Sequence, residues 1–169
     1  MNKLSILGGA VTILLASTTS AMTPREIPSA FLVAKSSNRN QVHYAVRVDA
    51  ACAPDGSTPV HPYWRMLEQS ADATEPLTER EQRVLGIERQ HVDGNAVHVA
   101  IRALPTRAIT VRTWRAADGT CASSATITIA GVDARLQDVY VKQSLLGVDY
   151  VMLRGWSDAG KMIQERVTL

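Results

Sequence analysis

The sequence is poor in the patterns that usually announce an activity. It contains no His-Glu-x-x-His and no Cys-x-x-Cys, so neither a zinc-protease helix nor a thiol metal knuckle is encoded. A Gly-x-Ser-x-Gly elbow is absent, as is any Gly-rich loop that would cradle a phosphate. No block of Lys and Arg stands out, and 18 basic residues against 16 acidic ones leave a net charge of +2. A chain so close to neutral has no electrostatic footprint for a nucleic-acid partner. Nothing in these patterns calls for a cofactor. Internal repeats, low-complexity tracts and the alternating strand–helix rhythm of a parallel sheet are missing too.

Long hydrophobic runs are equally scarce. The one present, LSILGGAVTILLA at residues 4–16, follows Lys3 and gives way to Ser17, Thr18, Thr19, Ser20 and Ala21. It falls short of the about 20 apolar residues that span a bilayer. Charge, apolar run and small residues together have the form of a cleavable secretory signal, cut after Ala21. No Cys sits near that cut, which excludes a lipid-anchored start, and no membrane span is expected after cleavage. The protein is therefore expected to be periplasmic or secreted. Residues 22–29, with two prolines, are expected as a flexible lead. Residues 30–169 then form a single domain, within the usual size of about 100–200 residues.

What is there reads mostly as strands. In the stretch 41–49, Val42, Tyr44, Val46 and Val48 alternate with His43, Ala45, Arg47 and Asp49, the period of a half-buried strand with His43 on its polar face. Residues 30–35 precede it across a hairpin-like connector at 36–40. Residues 62–67 read as a strand or a short helix, and residues 70–76 as a loop. Thr78 and Glu81 form a capping box and Gly86 a stop, which defines one short helix at about Glu79–Leu85. Beyond it, strands at 87–92, 96–104, 109–114, 121–130, 135–144, 148–156 and 161–169 are separated by turn signals such as Asp93-Gly94-Asn95. The expected fold is all-β, an antiparallel sandwich or barrel-like domain with one short helix.

Candidate sites follow from residue type and spacing. His91 and His98 straddle the Asp-Gly-Asn turn and face each other if Gly94 and Asn95 form its tip, which would supply two metal ligands. If Asp93 and Gly94 form the tip, His98 faces Arg89 instead. His61, Pro62, Tyr63, Trp64 and Arg65 combine a general acid, two aromatic faces and a cation. Trp64 and the neighbouring Met66 are expected in the core, with Tyr63 and Arg65 partly exposed. Cys52 and Cys121 form an even pair, a candidate disulfide in an oxidising compartment. No catalytic residue can be assigned, since a carboxylate pair or a Ser–His pair needs coordinates to define it.

Four stretches stand together in a familiar order. They are residues 31–40 with the strand that follows, then Pro62-Tyr63-Trp64-Arg65, then residues 75–87, and last residues 148–161. In these the chain resembles a family of bacterial exported proteins, domain of unknown function 4833 (DUF4833). The resemblance implies a bacterial, periplasmic or secreted, single-domain protein and brings no catalytic residues. It directs attention to Lys35, Ser36, Asn38 and Asn40 at one hairpin, and to Tyr63, Trp64 and Arg65, as candidate ligand-binding positions. The function expected is a non-catalytic binding or envelope-associated β module for an unidentified ligand or protein partner. The alternatives are a small periplasmic hydrolase, metal-assisted through its histidines, and a subunit of an envelope assembly.

Overall fold

The computed structural model describes residues 25–35, 37–70, 73–144 and 147–168; the expected signal lies outside them, as does Ser36. Eleven strands and one helix follow in the order β1 (Arg25–Lys35), β2 (Gln41–Val48), β3 (Val60–Arg65), β4 (Thr74–Pro76), α1 (Glu79–Leu85), β5 (Ile87–Asp93), β6 (Ala96–Ile101), β7 (Ile109–Arg115), β8 (Cys121–Ile129), β9 (Val132–Ser144), β10 (Gly147–Trp156) and β11 (Met162–Val167). The domain is all-β with one short helix, as its turn chemistry dictates. Among the described residues, no helix is long and apolar enough to cross a membrane.

The strands run β4-β3-β2-β1-β9-β8-β7-β6-β5, with β10 and β11 attached to the other side of β9. The path is not closed into a barrel. Its two arms share one hydrophobic core, with Val33, Val42, Tyr44 and Val46 from one arm and Val97, Val99, Ile109, Val111 and Ile129 from the other. That is a sandwich-like arrangement, and β9 is its corner. Arg154 lies opposite Asp138 and Gly155 opposite Leu136, so Gln137 is an extra residue in β9. Such a bulge reverses which side chains face inward. Ala134 and Leu136 are buried before it, Val139 and Val141 after it. A strand over residues 135–144 therefore does not keep one plain alternation along its length. Beyond the bulge β9 pairs with β1 in parallel, Val33 opposite Val139, which makes the sheet mixed rather than purely antiparallel.

Among the described residues, several ties hold the arms together. Cys52 and Cys121 are joined in a disulfide, with Cα atoms 5.4 Å apart. Gln90 uses its side-chain amide as a strand would, donating to the Val60 carbonyl at 3.1 Å and accepting from the Val60 N–H at 3.0 Å. The buried Tyr44 hydroxyl donates to the Leu85 carbonyl at 2.5 Å, fixing α1 over the inner face of β2. A helix of seven residues has too few internal bonds to persist alone. Leu85 in the core, the Tyr44 bond and the capping box together supply what it lacks.

Two further expectations change. Residues 25–29 are part of a strand rather than of a flexible lead: Arg25, Glu26 and Ile27 pair with Val48, Arg47 and Val46. The register then slips between Ile27 and Phe31, where Pro28 has no N–H to give the ladder. Within the stretch read as loop, residues 74–76 form the edge strand β4, which exists only because β3 lies beside it.

Candidate functional site

Strand alternation divides the run from His61 to Arg65. Val33, Val42, Trp64 and Glu75 are register neighbours across β1 to β4, so Trp64 faces the core, 5% exposed. Residues 62–67 thus resolve as strand rather than helix through Arg65. Tyr63 turns the other way: its hydroxyl donates to the Pro28 carbonyl at 2.7 Å, and its ring centre lies 5.8 Å from that of His43.

At the rim of the inner face the chain builds a cleft of about 150 Å³, lined by Lys35, Asn38, Asn40, Trp64, Thr78 and Glu81 among others. Lys35 continues the inward set of Phe31 and Val33, and its Nζ stands 4.2 Å from the centre of the Trp64 ring. Glu81 reaches the same place by capping its helix. Its Oε2 accepts from the Thr78 N–H at 2.9 Å and from the Thr78 hydroxyl at 2.8 Å. Burial pushes the Glu81 carboxyl up. The Thr78 bonds, a hydrogen bond from the Trp64 side chain and the Lys35 charge outweigh that and hold it below the ordinary carboxylate range. For Lys35, burial pulls the ammonium below its ordinary value, and the Glu81 carboxylate only partly restores it. The Lys35 cation thus rests on an aromatic face near a carboxylate and is only partly reached by water.

The rest of the hairpin separates into two roles. Asn40 is buried, and its Oδ1 accepts from the Glu68 N–H at 3.0 Å, while the Arg39 N–H donates to Glu68 Oε1 at 3.1 Å. These bonds clamp the β1–β2 turn to the β3–β4 loop and hold the cleft wall. Asn38 is exposed and lines the same cleft. Sequence reasoning singled out Lys35, Asn38, Asn40 and Trp64, and the structure brings all four together. Met66, Glu75, Pro76, Thr78 and Glu81 were missed as lining residues. The capping box was legible, but nothing local says that its carboxylate doubles as a cleft wall.

Tyr63 belongs to a second, outward cleft of about 400 Å³ with Glu26, His61 and Glu75. There His61 Nε2 lies 3.4 Å from Glu26 Oε2. His43 is not on a wet surface, as its place in the alternation implied. The Pro28–Ser29 bulge covers it, and its ring nitrogens meet Ser29 Oγ at 2.9 Å and Gln41 Oε1 at 3.1 Å. Burial, and then the Arg65 charge, lower its pKa below the ordinary imidazole value.

His91 and His98 do sit directly opposite each other, because Asp93 pairs with Ala96 and leaves Gly94 and Asn95 as the tip. Gly94, at φ 55°, takes the left-handed conformation such a tip needs. His98 Nδ1 bonds Thr110 Oγ1 at 3.1 Å. Among the described residues no group of three or more His, Cys, Asp or Glu can hold a metal ion. Both cysteines are in the disulfide, so neither is a free thiol nucleophile.

No curated protein and no solved structure matches the chain. One family model does, over residues 31–166, which runs from within β1 through Trp64 and α1 to the penultimate residue of β11. On that match the chain belongs to the family of the domain of unknown function DUF4833.

Proposed function

We propose that the protein is an exported, non-catalytic binding module whose ligand site is the cleft between the β1–β2 turn, Trp64 and the start of α1. The observation that carries this reading is the convergence of three stretches distant in sequence on one small, mixed-charge cleft. Lys35 and the Asn38 amide offer donors to an oxygen-bearing ligand, while Trp64, Met66 and Pro76 offer apolar contact. The cleft suits a small polar molecule, since its volume is below the about 300–1,000 Å³ of drug-sized sites. Export is supported by the disulfide, a bond that persists in oxidising compartments.

The test is thermal unfolding of the oxidised protein against a panel of amino acids, small carboxylic acids, monosaccharides and inorganic phosphate. A ligand at about 100 times its Kd stabilises by about 2.7 kcal/mol. For a domain of this size that raises Tm by about 5–11 °C. Lys35→Met, which keeps the stem over Trp64 but removes the ammonium, and Asn38→Ala should each remove that shift while the domain stays folded. A shift that both variants retain, or no shift with any compound, contradicts the proposal. Mass spectrometry of the protein recovered from its native cells tests export: a mature chain beginning at Met22 is expected, and a cytoplasmic chain that keeps Met1 contradicts it.

A further inference from the structure

The far arm carries a feature that the Lys35 cleft does not use. Across β5 to β11 the register aligns His91 with His98, His98 with Thr110, Thr110 with Thr126, Thr126 with Arg135, Arg135 with Trp156, and Trp156 with Met162. Directly opposed residues share a face of the sheet. This face is the outward one, because the alternate residues Val97, Val99, Val111, Ala125, Ile127 and Ala134 are buried. A row of five polar side chains therefore crosses β5 to β9 and continues onto Trp156, 37% accessible, and Met162.

Two depressions lie on that row. One, of about 410 Å³, runs from His98 past Arg112 to Arg135 and Asp158. The other, of about 330 Å³, holds Arg135, Trp156, Asp158 and Gly160. They meet at Arg135 and Asp158, and the pair makes one candidate groove. From β6 to β10 it spans four strand spacings, about 19 Å, the reach of a short oligomer rather than of a single small molecule. Its charges cancel: Arg112 and Arg135 stand against Asp133 and Asp158. That balance opposes an anionic or cationic chain and complements a neutral one. The threonine hydroxyls, His98, guanidinium groups and carboxylates offer donors and acceptors along the whole row. Several are already oriented, as with Thr128, which donates to Asp133 at 2.8 Å, and His98, which meets Thr110.

We propose that this groove binds a neutral oligosaccharide, one sugar ring stacked on Trp156 and its hydroxyls bonded by Arg135 and Asp158. An exposed aromatic face takes the apolar face of a pyranose, and planar charged groups bridge neighbouring hydroxyls. A rigid sheet holds these groups in place before binding, which lowers the entropic cost of association.

The experiment titrates the full oxidised chain with cellohexaose, maltohexaose, xylohexaose and chitohexaose, with oligogalacturonate as the anionic comparison, by calorimetry and tryptophan fluorescence. At least one neutral hexasaccharide should bind, with a change in indole emission. Trp156→Ala should weaken it by about tenfold or more, the worth of a stacked ring. Trp114→Ala removes an exposed tryptophan outside the groove lining and should leave affinity unchanged. Circular dichroism shows that each variant is folded. Failure of every neutral sugar to bind, preference for oligogalacturonate, or affinity that survives Trp156→Ala overturns the proposal. None of these outcomes touches the Lys35 cleft, which is read with different probes and variants.

Discussion

Replacing both cysteines by alanine tests the idea that a single covalent tie fixes the two arms. The bridged residues are 69 apart in sequence, so the disulfide removes the closure of a long loop from the unfolded chain. Chain entropy puts that at about 4 kcal/mol. The native side of the ledger should change little. The Asp49 carboxylate still accepts from the N–H groups of Ala51 and Ala53, and the Arg115 guanidinium still donates to the Ala50 carbonyl. Cys52 has a left-handed backbone, φ 67°, but alanine carries the same Cβ, so that cost cancels between the two proteins. The loss should therefore approach the full entropic figure. Urea unfolding followed by far-UV circular dichroism should show a deficit of about 4 kcal/mol. In thermal unfolding this becomes a fall in Tm of about 8–16 °C. The denaturant slope should also rise, because an uncrosslinked unfolded chain exposes more surface. A deficit below about 1 kcal/mol, at the foot of the range disulfides give, would refute the reasoning.

Gly155→Ala should destabilise the fold by about 1–3 kcal/mol, the usual cost of overpacking, in the same urea assay. A Cβ there would stand 2.7 Å from the Arg135 carbonyl and 2.9 Å from Ile129 Cδ1, and a neutral result would show that the β9–β10 pair can shift. The Glu81 carboxyl is held below the ordinary range, so its charge stabilises the native state above the unfolded value of about 4.3 and ceases to as pH falls through the lowered folded value. Glu81→Gln should therefore narrow its deficit against wild type below that pH, and a deficit constant from pH 7 to pH 3 would contradict this. For His43 the linkage has the same sign, because its lowered pKa likewise disfavours the protonated form in the folded state. Stability should fall as pH drops below about 6.5, and His43→Gln should show a shallower fall between pH 7.5 and 5.5; equal slopes would remove His43 as the cause.

Where structure is set by neighbours in sequence, it was legible. The capping box at Thr78 and Glu81 marks α1 to the residue, and Asp93-Gly94-Asn95 gives the hairpin, while the observed register is what selects its tip and sets His91 opposite His98. The even cysteine pair raised a bridge that sequence alone left open. What was not legible depends on contacts between distant segments. Strand β4 has three residues and takes its form from β3. The parallel pairing of β1 with β9 and the bulge at Gln137 leave no local signature. His43 sits in a strand that reads as half-wet, yet a proline-containing bulge from another strand seals it. The cleft was half legible: Lys35, Asn38, Asn40 and Trp64 stood out singly, but only the docking of α1 brings Glu81 to them.

The most direct test of the binding cleft is a ¹H–¹⁵N NMR titration of the oxidised protein with the compound that most raises its Tm. Saturable shifts should cluster on the backbone of Lys35 and Glu81, the Asn38 side-chain amide and the Trp64 indole N–H, with little change around Glu26 and His61 on the opposite face. Shifts centred on that outward cleft, or spread without saturation over the surface, would contradict the assignment of the site.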